Sequence, residues 1–218
     1  MSADVIVRRL GLQPYVPTWH AMQDFTAARA DATPDELWLL EHPPVYTLGR
    51  NAKSGVPVGD IPIVPVDRGG DITYHGPGQC VLYALVDLRR RGLGVKTLVG
   101  LLEQSVLDLL ADHGLAGERR TGAPGVYVGG RKLAALGLRV RNGRSYHGLS
   151  VNVAMSLAPF TRIAPCGYAG LEVTQLADLI DGTDPATAGP TVAAHLIRNI
   201  GYNAPHYTDD WDVHGRRR

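Results

Sequence analysis

The 218-residue sequence predicts an α+β fold, a mixed and largely antiparallel sheet packed with helices, from three observations. Short strand-like runs outnumber helical ones and are joined by segments rich in glycine and proline. Several neighbouring strands are separated by connections too short for a helical crossover, which excludes a doubly wound parallel sheet. One long segment keeps a clear helical period.

In chain order, Val5 to Leu10 is a strand. Trp19, Met22 and Phe25 recur at three-residue spacing and predict a helix from about Thr18 to Ala30. Leu37 to Glu41 and Val45 to Leu48 are strands on either side of the rigid pair Pro43-Pro44. Further strands fall at Ile63 to Val66, Cys80 to Val86, Gly125 to Val128, Lys132 to Val140 and Tyr146 to Val153. Between them, Val95, Leu98, Val99, Leu102, Val106, Leu109 and Leu110 follow a 3.6-residue period, and Gly114 stops the helix near His113. A last helix is expected from Thr191 to Asn199, before Gly201. Residues 1–218 are expected to form one domain, with a polar, frayed tail after about residue 207.

Hydrophobic residues make up 44% of the chain and charged residues 20%, as in ordinary globular domains, and the net charge of +1 argues for neither a nucleic-acid nor a membrane partner. No apolar run approaches the ~20 residues that span a bilayer. Met1 to Asp4 lead straight into Val5-Ile-Val7, without the basic start and apolar stretch of an export signal. With two cysteines, the expected compartment is the reducing cytoplasm, a single disulfide being the alternative. The histidines do not cluster with cysteines or carboxylates at ligand spacing, so no metal is expected.

The two thiols have different settings. Cys80 opens the apolar run to Asp87 and is expected to pack as a small buried hydrophobe. Cys166 lies between Pro165 and Gly167, which shape the backbone on both sides and suit a loop at the end of an element. Lys132 opens another apolar run and is a candidate partner for it.

Arg68-Gly-Gly-Asp-Ile-Thr-Tyr-His-Gly-Pro-Gly-Gln79 is the most unusual stretch, with five glycines and prolines in twelve residues. It suits a ligand-binding loop in which Gly69 and Gly70 allow close backbone approach and Arg68, Thr73, Tyr74, His75 and Gln79 supply polar groups. A tight hairpin is the plainer alternative. The segment lacks the ending of a Walker phosphate loop. His75 and His147 suit pocket polar groups or proton carriers, and His42 a structural role at a strand end.

Together with Glu41-His-Pro-Pro-Val-Tyr-Thr-Leu-Gly49, Lys132-Leu-Ala-Ala-Leu-Gly137, Tyr146-His-Gly-Leu-Ser-Val-Asn152 and Pro165-Cys-Gly167, this segment resembles the lipoyl(octanoyl) transferases. The five motifs occur in the family's order and span about Tyr15 to Leu176. The resemblance implies a biotin/lipoate protein ligase-like fold and transfer of an octanoyl group from acyl carrier protein to a lysine of a lipoyl domain. The acceptors are lipoyl domains of 2-oxoacid dehydrogenase complexes and the glycine cleavage H protein. It places the nucleophile at Cys166 and its partner at Lys132. The implied acyl pocket comprises Arg68, Gly69, Gly70, Asp71, Ile72, Thr73, Tyr74, His75, Ala135, Leu136, Gly137, Gly148, Leu149 and Ser150. No separate cofactor is implied, because the acyl group arrives on the carrier's phosphopantetheine.

The residue chemistry is consistent with this. A free thiol of pKa ~8.5 is mostly protonated at neutral pH. Lys132 meets the need either as a cation beside the thiolate or as an amine that takes the proton. Small residues from Leu133 to Gly137 leave room for a straight acyl chain. Arg89 to Arg91, Arg119-Arg120 and the group Arg139, Arg141 and Arg144 are candidate docking sites for acidic protein partners. Two other classes are an ATP-dependent lipoate or biotin ligase, which needs no cysteine, and an acyl-binding protein without chemistry. A relative that moves octanoyl between two lipoyl proteins would share most of these residues.

Overall fold

The structure, a computed structural model, describes residues 4–52, 59–163 and 172–211. Its strands are β1 (Asp4–Leu12), β2 (Asp35–Glu41), β3 (Val45–Leu48), β4 (Ile63–Pro65), β5 (Ile72–His75), β6 (Gln79–Leu85), β7 (Gly125–Val128), β8 (Arg131–Arg141), β9 (Arg144–Asn152) and β10 (Ala204–Thr208). The helices are α1 (Tyr15–Ala28), α2 (Leu88–Arg91), α3 (Val95–Asp112) and α4 (Pro185–Ile200). Seven strands form one sheet in the order β10-β1-β2-β6-β9-β8-β7, and β4-β3-β5 form a smaller one. In the large sheet β1 runs parallel to β10 and β2, and the other pairs are antiparallel. This is the mixed, largely antiparallel arrangement expected from the sequence.

The central strand β6 shows how one sequence serves two faces. All seven of its residues are buried. Cys80, Leu82 and Ala84 join the core made with Leu98, Leu102 and Val106 of α3 and Val192 and Leu196 of α4. Val81, Tyr83 and Leu85 face the other way, onto Met22 and Phe25 of α1. Period-two alternation sends successive side chains to opposite faces. A strand covered on both sides therefore has no polar face, which is why β6 reads as a continuous apolar run.

Several boundaries differ from expectation, each for a local reason. Tyr15 begins α1 with Pro14 at its cap and Pro17 in its first turn, where a missing N–H costs little. The last helix begins at Pro185 rather than Thr191: the Asp184 carboxylate accepts from the Ala186 N–H, and Pro190 is carried inside the helix. Residues 72–75 of the glycine-rich segment form β5, so that segment is a turn, a strand and a second turn. The chain from Ala204 to Thr208, partly assigned to a frayed tail, is β10, an exposed edge strand held to β1 by backbone pairing. With no buried side chains, it leaves little hydrophobic signal.

Below the end of α1, the carboxylate of Asp35 gathers distant parts of the chain. It accepts from Arg29, Arg90, Arg91, the Tyr202 hydroxyl and the Asp87 N–H. Burial alone would raise its pKa, but these donors outweigh it and hold the carboxyl below its ordinary value. The Arg29 and Asp35 side chains are both fully buried. Removing the acid would strand the Arg29 charge, so Asp35→Ala is expected to cost about 3–5 kcal/mol in urea denaturation, whereas the exposed Asp209→Ala should cost under about 1 kcal/mol.

Candidate active site

The pocket lies on the sheet face that carries α1, under the small sheet. Counting its mouth, it encloses about 740 Å³, within the range of small-molecule sites. Val81, Ala135, Leu136, Gly137, Gly148 and Leu149 contribute an apolar lining from three adjacent strands, and Phe160 closes part of the side. Arg68, Thr73, His75, Gln79, His147, Ser150 and Lys132 bring polar groups to the same space.

The roof is the turn leading into β5. The Gly69 N–H donates to the Leu138 carbonyl of β8 at 2.9 Å, bringing the turn onto the large sheet. At Gly137 a Cβ would lie 2.9 Å from the Gly69 carbonyl oxygen and 3.1 Å from the Arg68 stem, so glycine permits this approach. Arg68 is buried and donates to the Thr47 carbonyl at 2.7 Å and to its hydroxyl at 2.8 Å, lashing the roof to β3.

Behind the pocket wall, Asp67, which lines a neighbouring groove, accepts from Trp19, Gln23, Tyr146 and His147. Its burial is outweighed by these donors, and the carboxyl is held well below the usual range. Tyr146 and His147 are consecutive in β9 and would ordinarily face opposite sides. His147 instead takes a left-handed backbone, φ 61°, and the two rings stack 5.1 Å apart with both reaching Asp67.

His42 and His75 complete a buried aromatic group with Tyr15 and Tyr83. The His42 ring bridges the Gln13 carbonyl and the Tyr83 hydroxyl, and His75 Nδ1 lies 2.7 Å from Gln79 Oε1. Burial pushes His42 down to about 4 and His75 down to about 3, the latter with a further contribution from His42. Burial also lowers His147, against the pull of Asp67. At neutral pH all three rings are therefore uncharged and serve as oriented polar groups.

Lys132 is 4% exposed and lines the pocket. Its Nζ lies 5.5 Å from the ring centre of Tyr127. A register shift between β7 and β8 leaves Leu133 without a partner on β7, a bulge of the kind that re-aims side chains near sites. On its other side Lys132 is paired with the chain at residues 172–174: its N–H donates to the Glu172 carbonyl, and its carbonyl accepts from the Thr174 N–H. Asn152 donates to the Thr174 carbonyl and accepts from Gln79, which also meets His75. Hydrogen bonds thus connect the turn after β5 to the segment beside Lys132.

Of the sequence-predicted pocket residues, Arg68, Gly70, Asp71, Ile72, Thr73, His75, Ala135, Leu136, Gly137, Gly148, Leu149 and Ser150 line the cavity. Tyr74 does not. It packs into an apolar cluster with Tyr46, Ile72 and Phe160, beside the cavity. Gly69 faces a neighbouring groove instead. Pro165, Cys166 and Gly167 lie outside the described residues. Cys80 is buried against α4, its thiol pushed up to about 12 by burial and the nearby Glu41, and it is a packing residue as expected. Tyr15, Val81, Tyr83, Asn152 and Phe160 were not singled out from the sequence. Tyr83 and Val81 read there as core, and only the register of β6 against Gly148 and Ser150 of β9 reveals their second role.

The neutral histidines have a consequence for stability. Unfolding returns His42 and His75 to a pKa near 6.5, so below that value the unfolded chain binds protons that the folded chain refuses. Stability should be level above pH 6.5 and fall as the pH drops from 6.5 toward 4, by roughly 2 kcal/mol per histidine at pH 5. Urea melts at pH 7.5, 6 and 5 measure this, and His42→Gln should reduce the slope.

Comparison with known proteins agrees with this architecture. The chain is 55% identical over 213 residues to an octanoyltransferase of Nitrosococcus oceani, covering 96% of this chain and 95% of that one. It shares its fold with lipoate-protein ligase A bound with ATP, at TM-score 0.73 and 12% identity over 96% of this chain and 89% of the other. The biotin protein ligase of Aquifex aeolicus shares it at TM-score 0.54 and 12% identity, over 92% and 70%. Residues 15–197 match the model of the lipoyl protein ligase A/B catalytic domain. This chain therefore belongs to the lipoyl protein ligase A/B catalytic domain family.

Proposed function

We propose that this chain holds an octanoyl group as a thioester on Cys166 between its delivery by acyl carrier protein and its transfer to a lysine of a lipoyl domain. The chain is an octanoyl-transferring acyltransferase of protein lipoylation, like the octanoyltransferases to which it is so similar over nearly its whole length. The thiol, the donor and the acceptors form the finer reading.

One observation carries it. Phe160 lines the pocket six residues before Cys166, and Glu172, six residues after it, is hydrogen-bonded to Lys132. Six residues span at most about 21 Å. The chain bearing the thiol is thus tied at both flanks to the pocket that contains Lys132.

In the first half-reaction the Cys166 sulfur bonds to the octanoyl carbonyl carbon, and the bond to the phosphopantetheine sulfur breaks. The carrier thiol leaves with a proton equivalent to the one Cys166 gave up, and Lys132 is the group that handles that proton or the thiolate charge. In the second, a neutral acceptor lysine attacks the same carbon, an amide forms, and Cys166 regains its proton. Exchange between thioesters is nearly thermoneutral and amide formation is downhill, so the transfer uses neither ATP nor a separate cofactor. The apolar lining provides the binding: an octanoyl chain has six methylenes, and burying them is worth about 5 kcal/mol at ~0.8 kcal/mol each. Lipoyl domains of 2-oxoacid dehydrogenase complexes and the glycine cleavage H protein are the proposed acceptors, and the reducing cytoplasm is the proposed compartment. Among the described residues, no helix is long and apolar enough to cross a membrane.

Incubation with octanoyl-loaded carrier protein, followed by intact-mass spectrometry, tests the assignment. One octanoyl adduct is expected without ATP, retained in Cys80→Ser and lost in Cys166→Ser. Lys132→Met should slow its formation on the order of a hundredfold or more. An adduct on Cys80, or one that requires ATP, would overturn the reading.

A further inference from the structure

We infer that a groove beside the acyl pocket, flanked by Arg50 and Arg139, is the docking surface for the donor, seating the phosphodiester of its phosphopantetheine arm. The inference rests on the carrier-thioester reading above and adds the surface that recognises the carrier.

Three arginine groups in the sequence were candidates for docking, and the fold separates them. Arg90 and Arg91 are committed to Asp35, and Arg144 to Asp87. Arg119 pairs with Glu103, while Arg120 pairs with Glu118 and lies over the Tyr127 ring. Neither Arg50 nor Arg139 forms an ion pair among the described residues, although Arg139 also hydrogen-bonds the Tyr146 hydroxyl, and the two line the same open groove. It encloses about 670 Å³ counting its mouth, with Leu138, Val140 and Val95 as apolar lining. Its acid, Asp67, already accepts from four side chains. Two cations around an apolar trough complement a phosphodiester at the head of a long neutral arm.

The groove and the acyl pocket share a wall. Gly69 faces the groove and Gly70 the pocket, so the two spaces lie on opposite sides of one glycine turn. On β8, Leu136 and Gly137 line the pocket and the next three residues line the groove. Seven residues of strand at ~3.3 Å each set Arg139 roughly 23 Å from Lys132, the order of reach of an extended phosphopantetheine arm. The donor alone carries a phosphodiester at such a remove from its thioester, which selects it rather than the lipoyl domain as occupant.

The test compares Cys166 acylation by octanoyl-loaded carrier protein with acylation by octanoyl-N-acetylcysteamine, a thioester with neither phosphate nor protein. In Arg50→Glu/Arg139→Glu the ratio of the two rate constants should fall at least tenfold, and added salt should reduce the wild-type ratio. The control Arg89→Glu/Arg141→Glu should keep the wild-type ratio. If the charge reversal prevents folding, Arg50→Gln/Arg139→Gln should lower the ratio in the same direction. A wild-type protein that takes no adduct from either donor would sink the carrier-thioester reading itself. Normal wild-type acylation with a ratio that neither double variant changes would overturn the groove alone.

Discussion

The hydrogen bond from the Gly69 N–H to the Leu138 carbonyl holds the small sheet's roof against the large sheet, and the pocket exists because of it. Three other features support that contact. Gly137 has no side chain to keep the turn away, Arg68 ties the turn to Thr47, and the Arg50 and Asn51 N–H groups donate to the Arg68 and Gly70 carbonyls from above. The roof is therefore built mainly from backbone and one buried guanidinium. Such a roof keeps its shape because the Gly69 N–H, the Arg68 and Gly70 carbonyls and the Arg68 guanidinium all have partners. It also leaves the lining to side chains that can be small and apolar.

The buried polar residues at and behind the cavity wall divide into two kinds. Asp67 is a charged anchor, stabilised by hydrogen bonds strong enough to overcome its burial. His42, His75 and His147 are held neutral by their burial. An apolar acyl chain could not be accommodated beside three imidazolium cations without their hydration. The hydroxyl of Tyr83, which lines the pocket, is buried and satisfied by His42.

Much of the frame was legible from residues alone, and the exceptions have physical reasons. The core strand β6 and the long helix α3 declare themselves, because burial on two faces or along one stripe leaves a pattern in hydrophobicity. The edge strand β10 does not, since its pairing is made by backbone. Lys132 and most of the pocket segments were identified through ordered motifs, but Tyr74 shows the limit of that approach. A motif marks a stretch, whereas tertiary packing decides which of its side chains reach the cavity. The left-handed turn at His147, which overrides alternation, has no signature in local composition.

Cys80 makes the fold's own breathing measurable. Its sulfur is packed so closely beneath α4 that a Cβ on Gly189 would lie 3.0 Å away. A thiol so enclosed, with its pKa pushed up to about 12, is unreactive toward alkylating reagents while the helix stays seated. Labelling can proceed only through openings that lift α4 from the sheet, so its rate reports the free energy of that opening. The chain thus contains a native clock for the stability of the layer behind the pocket, independent of the thiol proposed to carry the acyl group.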